Sequence, residues 1–98
     1  MSKKKTKKPF VVVRTFSAGV HCGVLEARKG KEVTLSSARR IWRWQGANTL
    51  HEISLRGVDF EYSRISEPVA QIEITEAIEV LYATPASAAN LRQSRWPK

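Results

Sequence analysis

"VHCGVLEARKGKEVTLSSARRIWRW", residues 20–44, is the stretch that decides the fold. Residues 20–27 predict a strand, and "RKGK" at 28–31 predicts a hairpin turn with Gly30 at its bend. "KEVTLS" at 31–36 then returns as the next strand, with its aliphatic residues on one face. Two strands joined by a tight turn predict an antiparallel sheet.

The end of this stretch, "ARRIWRW" at 38–44, combines three arginines with two tryptophans. If the segment is extended, alternation places Ala38, Arg40, Trp42 and Trp44 on one face and Arg39, Ile41 and Arg43 on the other. Arginine pairs with phosphates through two parallel hydrogen bonds, and an indole ring stacks on a base. The alternative is that both tryptophans belong to the core and that the arginine stems lie over them.

The flanking segments complete the predicted fold. "FVVVRTF" at 10–16 predicts a strand in the centre of the sheet, since its start is apolar on both faces. Thr49 and Glu52 form a capping box for a short helix that ends at Gly57, and Pro85 begins a second one. Alternating residues at 59–65, 70–75 and 77–83 predict further strands, with a break at 75–76. The fold class is therefore α+β, a small, mainly antiparallel sheet with two short helices. A bent barrel is the alternative.

The length and the charge of the chain limit the functions that it can have. With 98 residues, we expect a basic flexible tail at 1–9 and one small domain at 10–98. The net charge is +8, and the tail carries Lys3, Lys4, Lys5, Lys7 and Lys8. Residues 10–43 hold seven basic and two acidic residues, whereas residues 59–79 hold six acidic residues and one basic residue. A basic tail attracts polyanions by releasing their counterions, and the alternative is a merely solubilising terminus.

Several classes of protein are not expected. The single cysteine, Cys22, allows no internal disulfide and is typical of a reducing compartment. No signal-peptide pattern is present, and no apolar run approaches the roughly 20 residues of a membrane span. We therefore expect a soluble, intracellular protein with no membrane partner.

Catalytic and metal-binding patterns are also weak. His21 and Cys22 are neighbours in a predicted strand and should point to opposite faces, and with His51 they do not make a recognisable zinc site. No glycine-rich phosphate loop is present. We expect a non-enzymatic protein with no cofactor and no metal. The free amides of the helix that opens at Thr49 favour an anion, unless the capping box uses them.

The segments "RTFSAGVHCG" (14–23), "ARRIWRWQGANTL" (38–50) and "TEAIEV" (75–80) resemble an uncharacterised family of small phage and prophage proteins, defined as a domain of unknown function. The resemblance covers most of the chain between Val11 and Leu81. It implies a phage or prophage product in a bacterial cytoplasm, but no activity, cofactor or catalytic residue.

Three functions are compatible with this sequence. The first is binding of nucleic acid or another phosphate-bearing ligand through a lysine-rich tail and an arginine–tryptophan patch. Its residues are Lys3, Lys4, Lys5, Lys7, Lys8, Arg39, Arg40, Arg43, Trp42 and Trp44. The second is a protein-interaction module that inhibits a host or defence factor, for example by sequestering a nucleotide. The third is a minor virion or assembly component, in which polarised charge favours a homo-oligomer.

Overall fold

A computed structural model gives the fold, and the structure describes residues 8–59 and 62–93. Strands dominate this part of the chain, with one helix after the third strand and one after the last. The elements are β1 (Phe10–Thr15), β2 (Val20–Lys29), β3 (Glu32–Arg43), α1 (Leu50–Arg56), β4 (Arg64–Ile65), β5 (Val69–Ile74), β6 (Ala77–Tyr82) and α2 (Pro85–Gln93).

The strands form one antiparallel sheet in the order β4-β3-β2-β1-β6. β3 is long enough to have two neighbours on one side, since residues 33–38 pair with β5 and residues 41–43 with β4. Within the described residues β5 and β6 do not pair, so the sheet does not close into a barrel. The predicted α+β class, with its mainly antiparallel sheet and two short helices, is confirmed.

Each face of the sheet buries its own apolar cluster. Helices α1 and α2 cover one face, which we call the helix face. Its buried residues are Phe10, Val12, Cys22, Ile41, Ile53, Val58, Ile65, Ala88 and Leu91. On the other side, which we call the open face, the buried residues are Val11, Val13, Val33, Leu35, Ala38 and Ile74. Because β1 contributes to both clusters, its apolar first residues lie inside the sheet, as predicted.

β3 runs without interruption through the two segments that the sequence suggested as separate, and it carries two bulges. At the first, Ser37 has a φ of 48° and, with Ala38, lies opposite Gly23. A Cβ atom on Gly23 would lie 3.0 Å from the carbonyl oxygen of Ser36, which leaves little room for a side chain. At the second, Ile41 pairs with Ile65 and Arg43 with Arg64, so that Trp42 is the extra residue.

Both helices begin where the sequence predicts. The Thr49 hydroxyl accepts from the amide of Glu52 at 3.3 Å, and Gly57, with a φ of 85°, ends α1. At Gly57 a Cβ atom would collide with the side chain of Asn90 in α2. That side chain donates to the carbonyl of Val58 and accepts from its amide, both at 2.8 Å, and so joins the two helical segments.

The predicted strand over 59–65 is shorter than expected. Only Arg64–Ile65 pair with β3, and Phe60 and Glu61 lie outside the described residues. Side-chain and loop contacts replace the ladder here, since the Gln45 amide donates to the Ser63 hydroxyl at 3.0 Å. The later strands and the break between them, at residues 75–76, agree with the predictions.

Candidate anion-binding surface

The arginines at the β3–β4 corner lie on one face because of the second bulge. Ile41 lies on the helix face with its cross-strand partner Ile65. Arg64 precedes Ile65 and therefore points to the opposite side, as does its partner Arg43. Arg40 precedes Ile41 and shares the open face with them.

Trp42 completes this group. It is 58% exposed, and the guanidinium carbon of Arg64 lies 5.3 Å from the centroid of its ring. This distance is typical of a cation–π contact, which fixes the indole beside the arginines. We call Arg40, Arg43, Arg64 and Trp42 the arginine surface. Its three guanidiniums and one exposed aromatic ring are suited to phosphates and bases.

Two arginines of this surface lie directly opposite each other. Arg43 and Arg64 are cross-strand partners, and both are exposed. Like charges in this arrangement destabilise a sheet. Neither Arg40 nor Arg43 forms an ion pair with any residue in the described part of the chain. The corner therefore concentrates positive charge that an anion would neutralise.

Trp44 differs from the expectation that it shares a face with Trp42. It is half-buried and packs against the cluster of the helix face. The bulge at Trp42 shifts the alternation by one residue, which returns Trp44 to the side of Ile41. Of the two tryptophans, Trp44 thus belongs with the core and Trp42 with the surface.

Arg39 is buried and holds the fold together. It is only 8% exposed, and it lies on the helix face as the partner of Cys22. Its Nε donates to the carbonyl of Ser66 at 2.7 Å, and its Nη1 donates to the carbonyls of Leu91 and Arg92 at 3.2 and 3.1 Å. The guanidinium thus joins the strand to the loop before β5 and to the last turn of α2. We leave it out of the arginine surface.

Of the five tail lysines, the structure describes one, Lys8. Lys3, Lys4, Lys5 and Lys7 lie outside the described residues. Lys8 forms an ion pair with Glu26 of β2, and Glu26 also accepts from the Ser36 hydroxyl at 2.5 Å. These two contacts lower the pKa of the Glu26 carboxyl, and they tie the start of β1 to the hairpin.

At the start of α1 the capping box occupies one of the amides that an anion would need. Thr49 accepts from the Glu52 amide, and the Glu52 carboxylate in turn accepts from the amide of Asn48 at 3.1 Å. The hydrogen bond from Asn48 is the main reason why the pKa of Glu52 is lowered. The capping box therefore uses part of the group of amides on which the expected anion site depended, and the Glu52 carboxylate adds a negative charge there.

His21 and Cys22 point to opposite faces, as predicted from their neighbouring positions. Cys22 is in the helix-face cluster, where burial raises the pKa of its thiol to about 12. A thiol with such a pKa stays protonated and is a poor nucleophile. His21 is buried on the open face, and His51 is exposed on α1.

Residues 8–59 and 62–93 contain no group of three or more histidine, cysteine or acidic side chains placed to hold a metal ion. Over the same ranges, no helix combines the length and the apolar character that crossing a bilayer requires.

Sequence reasoning missed Arg64. Its alternation with Ile65 was visible in the sequence, but its pairing with Arg43 depends on a contact between distant segments. A signal for that pairing would have required knowledge of the β4 register.

The chain belongs to the family described as Domain of unknown function (DUF6948), whose model matches residues 8–91. No curated protein and no solved structure matches the chain. The resemblance to an uncharacterised family is thereby confirmed, and the family brings no activity with it.

Proposed function

We propose that this member of the DUF6948 family binds nucleic acid, without enzymatic chemistry, through the arginine surface. The observation that carries the proposal is the direct pairing of Arg43 with Arg64 beside the exposed ring of Trp42. Like charges held in register cost stability in the free protein, and a phosphate between them removes that cost.

The exposed indole favours single strands over a duplex. Bases in a duplex are stacked on each other and do not offer their faces to a side chain. In a single strand each base can stack on an aromatic ring or a guanidinium plane, and such stacking is worth about 1–3 kcal/mol per base. Trp42 and Arg64 together supply both kinds of platform.

The lysine-rich segment supports the same function by charge alone. Lys3, Lys4, Lys5 and Lys7 precede Lys8, which is attached to β2 through Glu26. Such a segment adds phosphate contacts that carry no sequence information. The proposal includes a phage or prophage origin and action in the cytoplasm of a bacterial host, as the family resemblance implies.

Salt dependence tests the proposal. With about five phosphate contacts, the logarithm of the binding constant should fall against that of the salt concentration with a slope near −3.5 for a single strand. We expect fluorescence anisotropy with a labelled oligonucleotide to show this slope, and a variant lacking residues 1–7 to show a shallower one. Trp42→Leu should weaken binding by roughly tenfold, and Trp42→Phe should retain most of it, because phenylalanine still stacks. Absence of binding at low salt would contradict the proposal.

A second function, binding of a protein partner, is favoured by the sheet edges. Val69 in β5 and Ile78 and Tyr82 in β6 are at least half exposed, and the outer edges of both strands lack a partner among the described residues. Open edges pair readily with another chain, including a second copy, as a host inhibitor or a virion component would require. Affinity capture after nuclease treatment separates the two functions, since a partner retained by an intact edge but lost after Val69→Lys favours this one.

A further inference from the structure

A pocket of about 210 Å³ opens on the open face, next to the arginine surface, with which it shares Arg40. Its polar lining residues include His21, Arg40 and Ser66, and its apolar lining residues are Ala38, Val69 and Ile72. The remaining lining residue is Arg39, whose guanidinium lies on the helix face, so Arg40 supplies the positive charge of the pocket and no acidic side chain lines it. This combination is typical of a site for a small organic anion.

His21 gives the pocket a buried polar group with spare capacity. The residue is 2% exposed, and its Nε2 lies 3.0 Å from the carbonyl oxygen of Ala18. A carbonyl only accepts, so Nε2 carries the proton in the neutral ring and Nδ1 is left as an acceptor. No described residue donates a hydrogen bond to Nδ1. Protonation would make Nδ1 a donor as well, and an anion in the pocket would then be its natural partner.

Arg40 is placed to share that anion. It is the cross-strand partner of His21, its guanidinium forms no ion pair within the described residues, and its side chain is exposed. Its amide donates to the Ser66 hydroxyl at 2.8 Å, and the Ser66 amide donates to its carbonyl at 2.9 Å. The backbone that positions Arg40 at the pocket is therefore fixed on both sides.

The surroundings of His21 determine whether anion binding and protonation of its ring strengthen or weaken each other. Among the lining residues Arg40 carries the charge that faces His21, since the Arg39 guanidinium lies on the helix face. β1 presents Val13, and β5 presents Val69 and Ile72. Burial lowers the pKa of His21, the hydrogen bond to Ala18 opposes this, and the charge of Arg40 lowers it further. An anion between the two side chains would neutralise Arg40 and favour the imidazolium, so binding and protonation should strengthen each other.

We propose that the pocket between His21 and Arg40 binds a small anion carrying an apolar group, a carboxylate or a phosphate monoester. The charged oxygens contact the Arg40 guanidinium and the protonated His21 ring, and the apolar part lies on Val69 and Ile72. This site goes beyond the proposed function and does not depend on it, because the pocket would bind its ligand even if the arginine surface bound no nucleic acid.

The test is an NMR titration of the full chain with benzoate and, separately, with phenyl phosphate. Benzoate keeps one charge between about pH 5.5 and 7.5, so any pH dependence of its binding reports on the protein. We expect both probes to shift the His21 ring signal and to raise the pKa of His21. Benzoate should also bind more tightly at the lower pH, whereas phenyl phosphate itself takes up a proton at about pH 6 and serves only to compare the ligand classes. For each unit by which binding raises the pKa of His21, the affinity for benzoate should rise tenfold between a pH above both pKa values and a pH below both. The ring of His51, exposed on α1, is the reference within the same spectrum.

Variants locate the site. Arg40→Gln should weaken binding of benzoate at least fivefold, and Arg43→Gln, which removes the same charge three residues further along β3, should leave it unchanged. Binding of only one probe assigns the ligand class, carboxylate or phosphate, and supports the site. An unshifted His21 signal at tens of millimolar of both probes, or binding that survives Arg40→Gln, overturns it. Because Arg40 is exposed, this variant keeps the test valid even if His21→Gln fails to fold.

Discussion

Arg39 and Arg43 lie on the same strand and face opposite sides of the sheet, and their surroundings differ completely. On the helix face, Arg39 donates to carbonyls of the loop before β5 and of the end of α2. On the open face, Arg43 lies in solvent opposite another arginine. The difference shows that the role of a guanidinium depends on which backbone oxygens reach it. One arginine stabilises the fold, and the other is available to a ligand.

The largest expected effect is on the helix face. Arg39→Met keeps an apolar stem but leaves the carbonyls of Ser66, Leu91 and Arg92 without their donor, in a buried setting. We expect the free energy of unfolding to fall by about 2–4 kcal/mol. Urea denaturation measures this as a lower midpoint at an unchanged slope. Arg40→Met is the matched control and should change stability by no more than about 0.5 kcal/mol. Equal effects of the two variants would remove the distinction between the faces.

The next effect concerns His21 on the open face. Its folded pKa is lowered, so the unfolded chain binds more protons below about pH 6.5, and stability should fall as the pH drops through that value. One proton limits the slope to about 1.4 kcal/mol per pH unit. Stabilisation from Glu26 and Glu52, whose pKa values are also lowered, is lost only at more acidic pH.

Denaturation curves between about pH 5 and 7.5 therefore isolate the histidine contribution. The slope should disappear in His21→Gln and persist in His51→Gln. A slope that follows His51 instead would show that the burial of His21 does not govern this pH range.

The smallest expected effect is on the arginine surface itself. Arg43→Gln removes one of two like charges that face each other, so we expect a gain of about 0.2–0.5 kcal/mol at low salt. The gain should shrink as salt is added, because exposed charges are screened. Arg28→Gln is the control, since Arg28 faces Val33 across the hairpin. A loss of stability in Arg43→Gln at low salt would mean that this guanidinium supports the fold as Arg39 does.

Local signals in the sequence predicted much of the fold. Thr49, Glu52 and Gly57 define α1 because caps depend on residues within one or two turns. The apolar start of β1 predicted its central position, since only a strand covered on both faces needs apolar residues on both. The break at 75–76 was likewise visible as a change of alternation.

The division of the arginines was not predictable in this way. Alternation separates Arg39 from Arg40, but it does not say that the carbonyls of α2, more than fifty residues away, will meet Arg39. Nor does "RIWRW" reveal that Trp42 is a bulge residue, because the bulge arises from the register with β4. Both features depend on contacts between distant segments, and both decide which side chains form the candidate site.

The most direct test compares two variants of equal charge. Arg43→Gln with Arg64→Gln removes two positive charges from the arginine surface, and Arg28→Gln with Lys29→Gln removes two from the far end of β2. Val33, the partner of Arg28, is ten residues from Arg43 along β3, a separation of roughly 33 Å. Binding of a labelled single-stranded oligonucleotide should weaken at least tenfold in the first variant and no more than threefold in the second. Equal losses in the two variants would contradict a localised site and leave only a general attraction between opposite charges.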